Sequence, residues 1–209
     1  MHVSEAIRQR RSIRHFSPEP VSVTDLREII ALAAQAPSVG NRQMWRFIVV
    51  MDDHLRAMLG HLVERKIDKI AAWPESSASV QQRLRAWREY SLHFVKAPVA
   101  IFVINQGYHT PLDSVLTEHG LKQSEVDNLF YHPDIQSISC MIAYLTLLAE
   151  ERGYGTCWVT DALIARKDIE SSLNLQPGEE VAAIVTLGKP TDHPTPKDRK
   201  AIDELLEWR

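Results

Sequence analysis

Pro37-Ser38-Val39-Gly40-Asn41-Arg42-Gln43-Met44-Trp45-Arg46-Phe47-Ile48-Val49-Val50 joins a small, polar, turn-forming tract to an unbroken apolar run. The run lies in a strand expected over Trp45–Met51, and its apolar residues do not alternate with polar ones. Such a run means a strand buried on both faces. Upstream, Leu26, Ile29, Ile30 and Ala33 repeat at helical spacing. Ser22 and Asp25 cap that helix, it runs through Gln35, and Pro37 ends it. Downstream, His54–Ile70 and Ser79–Lys96 read as helices, and Pro98–Ile104 as a second buried strand.

Farther along, Asp134–Arg152 carries the strongest helical pattern in the chain. Ile135, Ile138, Met141, Ile142, Leu145, Leu148 and Ala149 form a stripe wide enough for a central helix with neighbours on more than one side. Asp134 reads as its cap and Gly153 as the glycine just past its end. Thr156–Val159 and Val181–Leu187 are further strands, and Arg166–Leu173 is a short helix. Met1–Arg11 is a helix with Val3, Ala6 and Ile7 on one face, and Ser4-Glu5 suits its start. His15–Pro20 is a linker punctuated by Pro18 and Pro20. The tail Thr191–Arg209 is charged, with a short amphipathic end at Ile202, Leu205, Leu206 and Trp208. Asn105–His132 is polar and poorly periodic, which suits a lid or binding loop, or else a surface excursion with short helices. Interleaved strands and helices, helices in the majority, give a mixed α/β or α+β domain over residues 1–209.

The chain has 209 residues and a formal charge of −3, a balance that argues against a general nucleic-acid binder. Cys140 and Cys157 are the only cysteines, so no disulfide framework is expected. Met1–Arg14 is charged throughout and no apolar run approaches a membrane span. A soluble, cytoplasmic protein is the expectation.

Most chemical motifs fail on inspection. Gly153-Tyr154-Gly155 hints at a dinucleotide fingerprint, but Trp158 stands at the third glycine position and the segment follows a helix instead of opening one. There is no Walker A loop, no G-x-S-x-G elbow and no H-E-x-x-H, and no two of the nine histidines stand four apart, so no metal site is expected. Cys157, in an apolar strand, reads as an inert buried thiol. Trp73, Trp87 and Trp208 read as packing or interface residues.

What remains is Arg10-Arg11-Ser12-Ile13-Arg14. Three guanidiniums and a hydroxyl within five residues suit a phosphate, because Arg offers a fixed fork of donors. A solvated helix face is the plainer reading of the same cluster. In this cluster, in Pro37–Phe47, in Gly153-Tyr154-Gly155-Thr156-Cys157-Trp158-Val159 and in Pro196-Lys197-Asp198-Arg199, the chain resembles the FMN-dependent nitroreductase family. Order and spacing across nearly the whole length make the match specific.

The resemblance implies an α+β fold: a three-layer α/β/α arrangement with a mostly antiparallel central sheet, forming an intertwined homodimer with an FMN at each shared interface. Carried over by position, Arg10, Arg11 and Ser12 hold the FMN phosphate or ribityl end, and Lys197 and Arg199 close on the phosphate. Arg14 faces the flavin pyrimidine. Pro37, Ser38, Val39 and Asn41 come from the partner subunit. Val159, Thr160 and Asp161 lie along the isoalloxazine, with a backbone N–H near N5. The implied activity is ping-pong hydride transfer from NADH or NADPH, through flavin N5, to a nitroaromatic, quinone or similar acceptor. No catalytic side chain and no metal is needed. Met44 stands where the family commonly has proline. Thr160-Asp161 stands where a small residue is frequent, and an inward Asp161 carboxylate would disfavour anionic substrates. Two rival readings remain. One keeps the fold with a specialised reaction, such as reductive dehalogenation or consumption of the enzyme's own flavin, with 105–132 setting substrate choice. The other is a non-enzymatic anion or nucleic-acid binding module.

Overall fold

A computed structural model describes residues 1–74 and 77–209. Its strands β1 (Trp45–Val50), β2 (Val99–Asn105), β3 (Gly155–Val159) and β4 (Glu180–Gly188) form one sheet in the order β1-β2-β4-β3, every neighbouring pair antiparallel. The helices are α1 (Val3–Gln9), α2 (Val23–Ala33), α3 (Asp53–Ala71), α4 (Ala78–Ser91), α5 (Pro111–Glu118), α6 (Gln123–Leu129), α7 (Pro133–Glu151) and α8 (Arg166–Ser172). The expected mixed α+β architecture with an antiparallel sheet is what the chain forms.

The unbroken apolar runs have the predicted cause. In β2 every residue is buried. Val99, Ile101 and Val103 point into one core with Leu26 and Ile29 of α2 and Ile142 and Leu145 of α7. Ala100, Phe102 and Ile104 point into a second core with Leu59 and Val63 of α3. Residues alternate between faces along a strand, so a sheet between two helical layers needs apolar residues at every position. One register break interrupts the alternation: Val103 pairs with Ala183 and Ile104 with Val181, leaving Ala182 as a bulge.

Several expected boundaries move. Helix α1 ends at Gln9, so Arg10 and Arg11 lie outside it. The helix expected over Ser79–Lys96 is two pieces, α4 and a 3-10 turn at His93–Lys96, whose Phe94 is fully buried under the sheet. Asp134 is not the cap of α7. His132 holds that position in a left-handed conformation with no side-chain cap, Pro133 follows, and the Asp134 carboxylate instead accepts from Asn105 Nδ2–H at 2.6 Å. Within 105–132 the chain forms α5 and α6, so this segment is a helical excursion. Ile202, Leu205, Leu206 and Trp208 in the tail are all exposed, around a 3-10 turn at Ile202–Glu204. No helix among the described residues is long and apolar enough to cross a membrane.

Candidate flavin site

Beyond α1 the chain runs extended along the free edge of β3. Ser12 bridges to Thr156 in parallel, and Ile13 N–H donates to Thr156 C=O at 2.8 Å. Gly155 permits this approach, since a Cβ there would stand 2.6 Å from Ile13 Cγ1. Phe16 then bridges to Pro190 and His15 Nδ1 lies 3.0 Å from Asp192 Oδ2, which anchors the start of the tail beside the N-terminal segment. The two ends of the sequence thereby meet. Arg10, Arg11, Ser12 and Arg14 line one cavity of about 520 Å³ together with Lys197 and Arg199. Arg8, not singled out in the sequence, lines it too.

The cations of this cavity are not equivalent. Arg11 Nη1 donates to the carbonyls of Arg8, Gln9 and Arg10 at 2.7, 3.0 and 2.8 Å. It thus satisfies the open carbonyls at the end of α1 and places its charge where the helix dipole favours it. Arg14 Nη1 donates to Ser12 C=O at 3.3 Å, and Nη2 donates to the Tyr90 hydroxyl. Its guanidinium carbon lies 4.6 Å from the centroid of the Tyr90 ring. Among the described residues Arg14 Nε is buried without a partner.

Past β3, the Val159 side chain is buried in the second core, so this residue offers only its backbone to a ligand. Thr160 is exposed. Asp161 opens a 3-10 turn and accepts from Trp87 Nε1–H at 2.9 Å, so one carboxylate oxygen is engaged by α4. Cys157 is buried, and burial pushes its thiol above the usual range against the opposing influence of nearby Arg14 and Ser12, in keeping with an inert thiol.

Pro37, Ser38, Val39 and Asn41 lie elsewhere. They form a tight turn in which Gly40, Asn41 and Gln43 have φ of 56°, 51° and 48°. Ser38 Oγ accepts from Gln43 N–H at 3.0 Å, and Val39 N–H donates to Ser137 Oγ on α7 at 3.2 Å. The turn feeds β1 at the sheet edge opposite β3, three strand spacings or about 14 Å away. It also sits at the other end of the strands, because Trp45 pairs with Asn105 while Gly155 pairs with Gly188. One chain therefore does not bring this turn to the cationic cavity; the two occupy diagonally opposite corners of the sheet.

Sequence reasoning missed Tyr90 and His93. Tyr90 closes α4 over Arg14, and its ring meets that of His93 edge-on at 5.9 Å. His93 is 9% exposed, and burial holds it below the usual imidazole range. Neither residue stands in a motif or at a telling spacing from the Arg cluster.

The chain is thus an α+β fold, one antiparallel sheet between helical layers with a cationic cavity at the edge of β3. Residues 7–189 match the profile of the Nitroreductase family, and the chain belongs to that family. Membership makes it a flavin oxidoreductase of nitroreductase type. Among curated relatives, a protein named putative NAD(P)H nitroreductase YfhC of Bacillus subtilis is 28% identical over 95% of this chain and 89% of its own. A 5,6-dimethylbenzimidazole synthase of Rhodobacter capsulatus is 28% identical over 99% and 94%. An iodotyrosine deiodinase of Thermotoga neapolitana is 26% identical over 91% and 89%. Among solved structures, a BluB-like flavoprotein from Clostridium difficile superposes with a TM-score of 0.87 at 28% identity, covering 100% of this chain and 99% of that one. An FMN and NADPH-dependent nitroreductase NfnB from a Sphigopyxis strain shares the fold with a TM-score of 0.76 at 18% identity, covering 100% and 99%.

Proposed function

We propose that this protein is an FMN-dependent NAD(P)H oxidoreductase, a homodimer that works on a small organic acceptor such as a nitroaromatic or a quinone. The observation that carries the reading is the convergence of both chain ends on one cavity. Arg10, Ser12, Lys197 and Arg199 surround a space of about 520 Å³, within the usual size of a ligand pocket. Hydroxyl and guanidinium donors of this kind suit a phosphate close to dianionic, where charge-assisted hydrogen bonds are strongest. Bound FMN would supply the redox chemistry itself, moving hydride between reduced nicotinamide and acceptor in a ping-pong cycle.

The chain's own residues bind and tune. Arg10 and Ser12 hold the phosphate or ribityl end from the N-terminal side, Lys197 and Arg199 close on it from the tail, and Arg11 adds charge while fixing the end of α1. Arg14 places a cation beside the pyrimidine, which stabilises negative charge there and favours the reduced cofactor. Val159 offers backbone alone, with Thr160 and Asp161 beyond it. The Pro37–Asn41 turn serves the site of the other subunit, which accounts for its place at the far corner of the sheet. Residues 1–209 act as one domain in which 105–132 chooses the acceptor and 189–209 completes the phosphate site.

The test is a visible absorption spectrum of the purified protein, repeated after anaerobic addition of NADH or NADPH. Flavin bands that bleach on reduction are the expected result. A colourless protein that fails to take up added FMN overturns the reading and favours a non-enzymatic anion-binding module. The dimethylbenzimidazole synthase and deiodinase among the relatives favour a second reading, in which the same flavin site serves a specialised reaction. Turnover of nitroaromatics against halogenated phenols, together with loss of flavin absorbance under oxygen, separates the two.

A further inference from the structure

The tail leaves the body from a short fastening on the N-terminal segment. Phe16 and Pro190 form an antiparallel bridge, Ser17 N–H donates to Lys189 C=O at 2.9 Å, and Thr191 N–H donates to His15 C=O at 3.2 Å. One contact lies beyond this ladder, between His15 Nδ1 and Asp192 Oδ2 at 3.0 Å. A carboxylate accepts, so the ring nitrogen donates. His15 therefore grips two consecutive tail residues, Thr191 through its backbone and Asp192 through its side chain. It also follows Arg14 directly, so one residue joins the N-terminal half of the cationic cavity to the root of the tail half.

Nothing of that kind holds the tail farther on. Among the described residues, every hydrogen bond made by 193–209 stays inside the tail, and all of 191–209 is exposed. Pro194-Thr195-Pro196 arches over two cavities. One is the space of about 520 Å³ shared with Arg10 and Ser12, and the other, of about 490 Å³, is shared with Arg8, Gln9 and Glu150. Proline fixes φ, which keeps the arch extended. Lys197 stands five residues past Asp192 (197 − 192), a reach of about 17 Å at full extension. An arm of that length with no hold of its own points where its root points it.

We propose that the His15–Asp192 pair is a clasp that aims Lys197 and Arg199 at the cavity, so that His15 governs FMN retention through the tail. The proposal rests on the FMN reading above. His15 and Asp192 are positioning residues. The clasp fixes the direction in which the arm departs, and thereby the local concentration of two cations at the phosphate. The side chains of His15 and Asp192 are 74% and 48% exposed, so the pair has the modest strength of an exposed ion pair. Its effect comes from its place at the pivot of a long arm.

The experiment measures FMN release from the full-length protein, chased at constant protein concentration by excess deaza-FMN and followed by the fluorescence of the freed FMN. His15→Ala and Asp192→Asn are each expected to speed release about threefold, and the double variant no further. His15→Lys, which keeps a cationic donor, is expected to stay within about 1.5-fold of wild type. In a Lys197→Ala/Arg199→Ala background His15→Ala is expected to change nothing, because the arm no longer carries what the clasp aims. The flavin-free protein supplies a second readout: trypsin is expected to cut after Arg199 and Lys200 faster in His15→Ala than in wild type. Unchanged release in His15→Ala overturns the proposal. An undiminished effect in the Lys197→Ala/Arg199→Ala background overturns it as well, since His15 then acts without the arm. A wild type that binds no FMN is a different result, which overturns the FMN reading and the retention role with it. Unchanged cleavage in the flavin-free His15→Ala protein overturns the clasp on its own, whatever the cofactor.

Discussion

Glu179 sits just before β4 and ties three strands at one end of the sheet. Its carboxylate accepts from Arg46 Nε–H and Nη2–H on β1 at 2.9 and 2.6 Å, from Gln106 Nε2–H past β2, and from the Gln176 backbone N–H at 3.0 Å. The Arg46 pair and the backbone donor hold the carboxyl down at about 2. A folded-state pKa below the unfolded value contributes stability that is present above about pH 4.5 and lost as pH falls toward 2. Because Arg46 is 39% exposed, solvent screening reduces the contribution to about 1–2 kcal/mol. Denaturant unfolding of wild type and Glu179→Gln between pH 2 and 7 checks this. The gap between them should be constant above about pH 5 and vanish near pH 2; a gap independent of pH assigns the loss to packing. At this same scale the sequence speaks unevenly. Arg10, Ser12 and Arg14 are legible because their chemistry is concentrated in five consecutive residues. Tyr90 and His93 are not, because only the fold carries α4 to the edge of β3, and an isolated Tyr or His on a polar stretch has no signature.

The elements that could be read were those whose burial is written into every position. β2 and α7 are the clearest cases, with an uninterrupted apolar run and a wide apolar stripe. The excursion at 105–132 hid its helices because α5 and α6 are short and bury little, leaving almost no periodicity. Their local signals are nonetheless present. Thr110 and Asp113 cap α5 reciprocally with Pro111 in its first turn, and Glu125 accepts from the Lys122 N–H at the start of α6. The tail shows the converse: its amphipathic pattern is real, yet Ile202, Leu205, Leu206 and Trp208 stay exposed. Hydrogen bonds tether it near Thr191 and Asp192, and Lys197 and Arg199 reach the cavity from there. Deleting Arg199–Arg209 is expected to raise the FMN dissociation constant about tenfold, as loss of a charge-assisted contact does. Unchanged affinity in that truncation removes Lys197 and Arg199 as a working pair.

Across the whole molecule, apolar surface is left over in a pattern. Trp208 is 88% exposed and Leu205 61%, while Ile135 and Tyr144 on α7 and Trp158 on β3 are each near 42%. Under the proposed function these side chains belong to the face that a second copy covers. Sedimentation is expected to give about twice the monomer mass of 23.8 kDa. A monomer at micromolar concentration counts against the shared site, because the turn at Pro37–Asn41 then has no cavity to serve. The sequence could not reveal this arrangement from its own periodicity, since nothing in a single chain records which surfaces meet in another.

The separation of that turn from the cationic cavity, at opposite corners of one sheet, has a consequence for the cell that makes the protein. A cofactor held by two chains responds to how many chains there are. Under the proposed function, cofactor retention and self-association would form a single linked equilibrium, so that a dilute pool would shed its pigment and a concentrated one keep it. Expression level would then set the fraction of molecules that are chemically competent as well as their number, and output would climb more steeply than abundance until the pool is fully assembled.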